Sequence, residues 1–112
     1  MSTRLCFLYK LRPDVEPAEY ERWLREVDVP FATARPTLLR YDCVRIDRSL
    51  ESAATAPFDY VEILEVTDVE ADQALVAGPE AEAIAAQWAG YVSDYKIMAG
   101  DPVESFERAG AS

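Results

Sequence analysis

The chain contains neither histidine nor asparagine. That excludes Ser–His and Cys–His nucleophile pairs within the subunit, His-ligated haem and nearly all zinc enzymes. Acid–base chemistry must then run through Asp, Glu, Tyr, Lys, Arg or water. Asp28 is the first candidate. It lies in the stretch from Tyr20 to Pro36, YERWLREVDVPFATARP. At about 100° per residue, Tyr20, Trp23, Leu24, Val27, Phe31 and Ala34 share roughly a third of a helix circumference. Asp28 sits at the edge of that stripe, with Arg35 on the same flank. Pro30 removes a backbone donor and leaves the Glu26 carbonyl without its usual partner. A carboxylate beside a broken turn and an apolar face suits a general acid or base whose pKa is raised by desolvation. The alternative is a solvated residue paired with Arg35 or Arg25.

Tyr60 and Glu62 form the second constellation. In FDYVEILEV, Phe58, Tyr60, Glu62 and Leu64 share one face of a strand. A carboxylate inside an apolar strand needs a partner or a wet cavity. Either Glu62 and Tyr60 line a cavity as catalytic groups, or they serve an inter-subunit salt bridge with Arg4, Lys10, Arg40 or Arg45 as partner. Trp23, Trp88, Tyr20, Tyr91, Phe7 and Phe31 would make an aromatic box for a planar ligand, or plain core. Tyr9, Tyr41 and Tyr95 fall on three different strands and would offer hydroxyls to a polar aromatic ligand. With Val27 and Arg35 they complete the candidate substrate-binding set. Arg35 would hold a carboxylate or polarise a carbonyl. Cys6 and Cys43 lack a group to activate a thiolate. Asp28, Asp59 and Glu62 are the carboxylates a Mg²⁺ or Mn²⁺ would need, but the pattern is unspecific, and no metal is expected. No phosphate-cradling glycine motif is present, and no cofactor is expected.

The elements that must position these groups follow from periodicity. Thr3 to Leu11 reads as a strand that is apolar on both faces. Pro17 suits the first position of a helix and Glu19 its first turn. That helix is expected to kink at Pro30, resume, and end near Arg35, because Pro36 disfavours helical backbone before it. Leu38 to Asp47 reads as a bulged or part-exposed strand, Ser49 to Pro57 as a loop, and Phe58 to Val66 as a central strand. Thr67 and Glu70 have capping-box spacing and open a helix to about Ala77. Gly78-Pro79 interrupts it; a further helix runs from Glu80 to Val92, and a last strand from Tyr95 to Gly100. The order β-α-β-β-α-β gives an α+β, ferredoxin-like fold with a four-stranded antiparallel sheet in the order 4-1-3-2. Residues 1–103 are read as one domain and 104–112 as a C-terminal tail. Both helices cover one face of the sheet, so the apolar second face calls for a cover, and a second copy is the simplest one.

Composition sets the outer limits. With 112 residues, half of them hydrophobic, the chain is one globular domain. Eleven basic against 21 acidic residues give a net charge of −10. That balance argues against nucleic acid and anionic membranes as partners. No apolar run approaches the roughly 20 residues of a membrane span. Two cysteines without framework spacing, and no signal-peptide pattern, point to a reduced, cytoplasmic protein.

The frame LYKLRP, PAEYERWLREVDVP, ATARPTLLRY, FDYVEILEV and DYKIMAGDPV resembles the REDY-like HapK proteins of the dimeric α/β-barrel superfamily. The resemblance implies a homodimer whose sheets face each other, helices outside, with a small organic ligand between sheet and helices. It implies a setting in secondary or aromatic metabolism, with ring, polyketide or pyrrole-like substrates. The activity it suggests is cofactor-free acid–base catalysis: cyclisation, dehydration or isomerisation. Its rivals are a non-catalytic carrier or accessory protein, and a cofactor-free monooxygenase.

Overall fold

In a computed structural model, which describes residues 2–51 and 54–110, four strands make one antiparallel sheet. They are β1 (Thr3–Leu11), β2 (Leu38–Arg45), β3 (Tyr60–Val66) and β4 (Val92–Gly100), in the order β2-β3-β1-β4. This is the ferredoxin-like order read from the sequence. The register pairs Leu5 with Leu64 and Ala99, and Tyr9 with Tyr60 and Tyr95. Alternation therefore sends Leu5, Phe7, Tyr9, Tyr41, Cys43, Tyr60, Glu62 and Leu64 to the helix-covered face. The loop between β2 and β3 includes residues 52–53, and the expected tail includes 111–112; these lie outside the described residues.

β4 begins three residues earlier than expected, directly after a helix, because Val92 is already buried and paired opposite Leu11. β2 ends at Arg45 and β3 starts at Tyr60, so Ile46, Asp47, Phe58 and Asp59 fall outside the strands. Asp59 instead accepts a hydrogen bond from the Leu11 amide at 2.8 Å.

The first helical stretch departs from expectation in an informative way. α1 (Pro17–Trp23) starts at Pro17 as the sequence suggests. A π-helical turn, Leu24–Asp28, follows, and α2 (Val29–Thr33) continues from it. The irregularity thus takes the form of a wide turn just before Pro30, in place of a simple kink at the proline. The Val29 amide reaches back five residues to the Leu24 carbonyl. A π turn absorbs one extra residue, so the helical phase shifts at this point. Ala32 becomes buried and Ala34 exposed, the reverse of the uninterrupted stripe.

α3 (Val69–Leu75) is capped by Asp68, whose carboxylate accepts from the Ala71 amide at 2.8 Å. The cap is thus one residue beyond the expected Thr67: Asp68 has the extended backbone that a cap requires. Gly78 has φ +113°, where a side chain would be strained, and Pro79 then opens α4 (Pro79–Tyr91). No residue of α4 is fully buried.

The core is largely aromatic. Tyr9, Tyr20, Trp23, Tyr60, Trp88 and Tyr91 pack with ring centroids 5.2–5.9 Å apart. The expected aromatic box is thus mostly filled core. On the other face, Cys6, Leu8, Val44, Val61, Ile63 and Met98 form an apolar surface that no described element covers. Val44, Ile63 and Met98 are 57%, 42% and 49% exposed there.

One ion pair ties the segment just after α2 to α3. Arg35 donates to Asp72 through Nε at 2.9 Å and Nη2 at 3.4 Å, and the Thr37 hydroxyl donates to Asp72 at 2.6 Å. The two charged side chains are only 11% and 2% exposed. Removing one partner of such a pair strands the other charge. Asp72→Ala is accordingly expected to destabilise the fold by about 3 kcal/mol, read from urea denaturation.

Candidate functional site

The helices do not close onto the sheet everywhere. A cavity of about 520 Å³ lies between them. Its floor is Leu5, Phe7, Glu62, Leu64 and Ile97 of the sheet, flanked by Tyr41 and Tyr95. The phase shift in the first helical stretch supplies one wall: Asp28, Phe31, Ala32 and Arg35 follow one another at helical spacing and all line it. α3 and α4 supply the roof, including Asp72, Ile84 and Trp88. Val27, which the unshifted stripe would have placed inside, lines a second hollow between α2 and α4, together with Pro30 and Ala34.

Glu62 is a buried polar group of the cavity floor. It is 5% exposed, and its Oε2 accepts a 2.5 Å hydrogen bond from the Tyr9 hydroxyl. Tyr20 donates to Tyr9 at 2.7 Å, and Trp88 Nε1 donates to Tyr20 at 3.2 Å. An indole N–H can only donate. The chain therefore runs in one direction, Trp88 to Tyr20 to Tyr9 to Glu62. Tyr9 and Tyr20 are fully buried, so neither phenol has water as an alternative partner.

Burial pushes Glu62 up to about 7, and the nearby Asp28 charge adds to this; the Tyr9 hydrogen bond works the other way. Burial likewise pushes Asp28 up to about 6, opposed by Arg35. Tyr9, Tyr20 and Tyr41 are all raised by burial, so they stay protonated donors. The Tyr41 hydroxyl helps hold charge on Glu62 but makes no hydrogen bond of normal geometry; it is the one buried side-chain polar atom without a partner among the described residues. Cys43 is pushed up to about 11 by burial and by Glu62, which removes it as a nucleophile at neutral pH.

The residues singled out in the sequence are thus divided by the fold. Asp28, Glu62, Phe31, Arg35, Tyr41, Trp88 and Tyr95 reach the cavity. Tyr60 does not. It lies at the start of β3, stacked on Tyr9, and its hydroxyl donates to Glu21 at 2.7 Å. Trp23 is core, donating to Gln87 at 2.7 Å. Tyr9 supports Glu62 from behind and is absent from the lining. Arg35 is there but engaged by Asp72, so it is no free anchor for a ligand carboxylate. Asp59 is committed to Leu11, so it does not join Asp28 and Glu62. Asp72 and Thr37 are the additions that sequence reasoning missed as parts of this site, and Tyr20, expected in an aromatic box, instead relays a hydrogen bond toward Glu62.

A family model for the REDY-like protein HapK matches residues 3–103. The chain belongs to the REDY-like HapK family. HapK from Hahella chejuensis is similar in structure, with a TM-score of 0.76 and 24% identity over 98% of this chain and all of that one. SnoaB, a cofactor-independent oxygenase from Streptomyces nogalater, also has a TM-score of 0.76, at 16% identity over 96% of this chain and 98% of that one. A dimeric ferredoxin-like protein of unknown function from Thermobifida fusca has a TM-score of 0.68, at 19% identity over 91% and 92% of the two chains. Comparison with curated proteins finds no match. Likeness at these identities carries the fold alone. No helix among the described residues is long and apolar enough to cross a membrane.

The raised carboxylates have a stability consequence. Unfolded Glu62 loses its proton near 4.5, whereas folded Glu62 keeps it to about 7. Between those values the folded state binds more protons, so its stability falls as pH rises through that window. Glu62→Gln keeps an acceptor for Tyr9 but cannot ionise. It is expected to be more stable than the parent at pH 8, on the order of 2 kcal/mol, and about equal at pH 4.5, measured by denaturant unfolding at both values.

Proposed function

We propose that the protein binds a small, largely apolar ring, polyketide-like or pyrrole-like molecule in this cavity and performs cofactor-free acid–base chemistry on it: cyclisation, dehydration or isomerisation. The observation that carries this reading is the pair Asp28 and Glu62, two desolvated carboxylates on one apolar cavity. Groups whose environments separate their proton affinities can act as base and acid in one cycle. Asp28, at about 6, is mostly ionised near pH 6.5 and serves as base. Glu62, at about 7, is mostly protonated there and serves as acid. The Tyr41 hydroxyl, which completes no well-formed hydrogen bond among the described residues, can donate to a substrate oxygen, while Phe31, Trp88 and Tyr95 bound the ring. Orientation in the cavity would add to proton transfer, the latter contributing roughly 10²–10⁴-fold.

The active microstate, ionised Asp28 with protonated Glu62, is most populated between about 6 and 7. Turnover is expected to follow a bell with its maximum in that interval, its limbs belonging to the coupled pair. Asp28→Asn is expected to lower flux through the host pathway about 10²–10⁴-fold while ligand binding persists. Full flux in that variant would establish a carrier in place of an enzyme. A second reading, a cofactor-free oxygenase, is favoured by the SnoaB-like fold. It requires oxygen uptake with turnover, so undiminished turnover under strict anaerobiosis eliminates it.

We also propose a homodimer, formed by the apolar outer face of the sheet around Val44, Ile63 and Met98. The dimeric relative from Thermobifida fusca supports it. Light scattering at micromolar concentration is expected to give twice the 12.5 kDa chain mass. A stable 12.5 kDa particle would refute this assembly.

A further inference from the structure

The charges that line the cavity do not balance. Asp28, Glu62 and Asp72 bring carboxylates, and Arg35 brings the one guanidinium of the lining. Arg35 directs both Nε and Nη2 to Asp72, so that pair is closed on itself. Asp28 and Glu62 have no ion-pair partner of their own among the described residues, Arg35 acting on Asp28 only as a neighbouring charge, in a chain whose net charge is already −10.

The two oxygens of Glu62 are not equivalent. The one-way donor chain from Trp88 fixes Oε2 as the acceptor of the Tyr9 hydroxyl. Tyr9 is the one well-formed donor to this carboxylate among the described residues: the Tyr41 hydroxyl favours its charge without completing a bond of normal geometry, and Glu62 is only 5% exposed. The unpartnered Tyr41 hydroxyl lies on the same lining. A buried carboxylate with a single well-formed donor is a costly arrangement unless something else completes it. Aromatic rings of Phe7, Phe31 and Trp88 stand around the same space, and their faces attract positive charge.

We propose that the cavity selects a ligand bearing a protonated nitrogen, an arylalkyl-amine type of molecule, whose cation sits between Asp28 and Glu62. The proposal rests on the cavity being the ligand site and adds the charge class of what enters it. At pH 7.5, above the values at which Asp28 and Glu62 lose their protons, an ammonium supplies the counter-charge and donors that the two ionised carboxylates lack. A ligand carboxylate would add a third uncompensated negative charge, and Arg35 is not free to receive it.

Three probes of equal ring size test this: 2-naphthylmethylamine, 2-naphthylmethanol and 2-naphthoate, titrated calorimetrically into the wild-type protein at pH 7.5. The amine is expected to bind about ten-fold tighter than the alcohol, and the naphthoate to bind weakest. Glu62→Gln and Asp28→Asn are each expected to cost the amine about five-fold while changing the alcohol less than about two-fold. Alcohol binding that equals amine binding, or naphthoate binding that matches it, overturns the charge assignment and leaves the cavity reading standing. Equal losses for amine and alcohol in both variants also overturn it, since the lost interaction would not be ionic. If none of the three probes binds, the cavity reading falls and the proposal with it.

Discussion

Pro30 has no amide hydrogen, and the site depends on how the helix accommodates that. The helix winds one turn wider before the proline, closing a five-residue bond from the Val29 amide to the Leu24 carbonyl. The phase change that follows turns Asp28, Ala32 and Arg35 toward the cavity and leaves Val27 half-buried against the core and Ala34 exposed, both outside the cavity lining. Arg35 then meets Asp72, which fixes where α3 lies. Asp28 comes to share a cavity with Glu62. A single missing donor thus sets the partners of a helix, a cavity wall and a carboxylate.

The polar interior is arranged around the same economy of donors. Tyr9 and Tyr20 are core residues by burial and by ring packing, yet each hydroxyl both accepts and donates. The core therefore does two things at once. Its rings supply apolar burial, and its hydroxyls hold one oxygen of Glu62 in place. The carboxylates remain desolvated, and that raises their proton affinity at the expense of stability near neutral pH. Such local conflict between burial and charge is characteristic of functional sites.

Much of this was legible in the sequence, for identifiable reasons. β1 and the Tyr60–Val66 strand follow from β-rich runs bounded by turn residues, and the element order then fixes the sheet. Glu62 stood out because an acidic residue interrupts an apolar strand face, a conflict visible without coordinates. Asp28 stood out beside Pro30, but its direction did not, because a stripe drawn at a constant helical period cannot show a phase shift. Arg35 was read as a ligand anchor because its partner was hidden. Asp72, in a short run of acidic and small residues, has the look of a solvated helix position until α3 is docked. Tyr60 shares a strand face with Glu62, but the face extends past the end of the cavity, and Glu21 takes its hydroxyl.

The roof of the cavity is built on different terms from its floor. α4 buries no residue completely and is entered through a glycine that only a glycine backbone suits. Its attachment is concentrated toward its C-terminal end, where Trp88 and Tyr91 join the aromatic core. Substitutions at positions such as Ala81, Ile84 and Ala85 would reshape the enclosed space while leaving the sheet and its hydrogen-bonded tyrosines untouched. Most of the roof's lining is thereby separate in the chain from Asp28 and Glu62, with Trp88 common to the roof and to the donor chain that ends on Glu62. The shape of the cavity can therefore vary through α4 without rebuilding Asp28 and Glu62 beneath it.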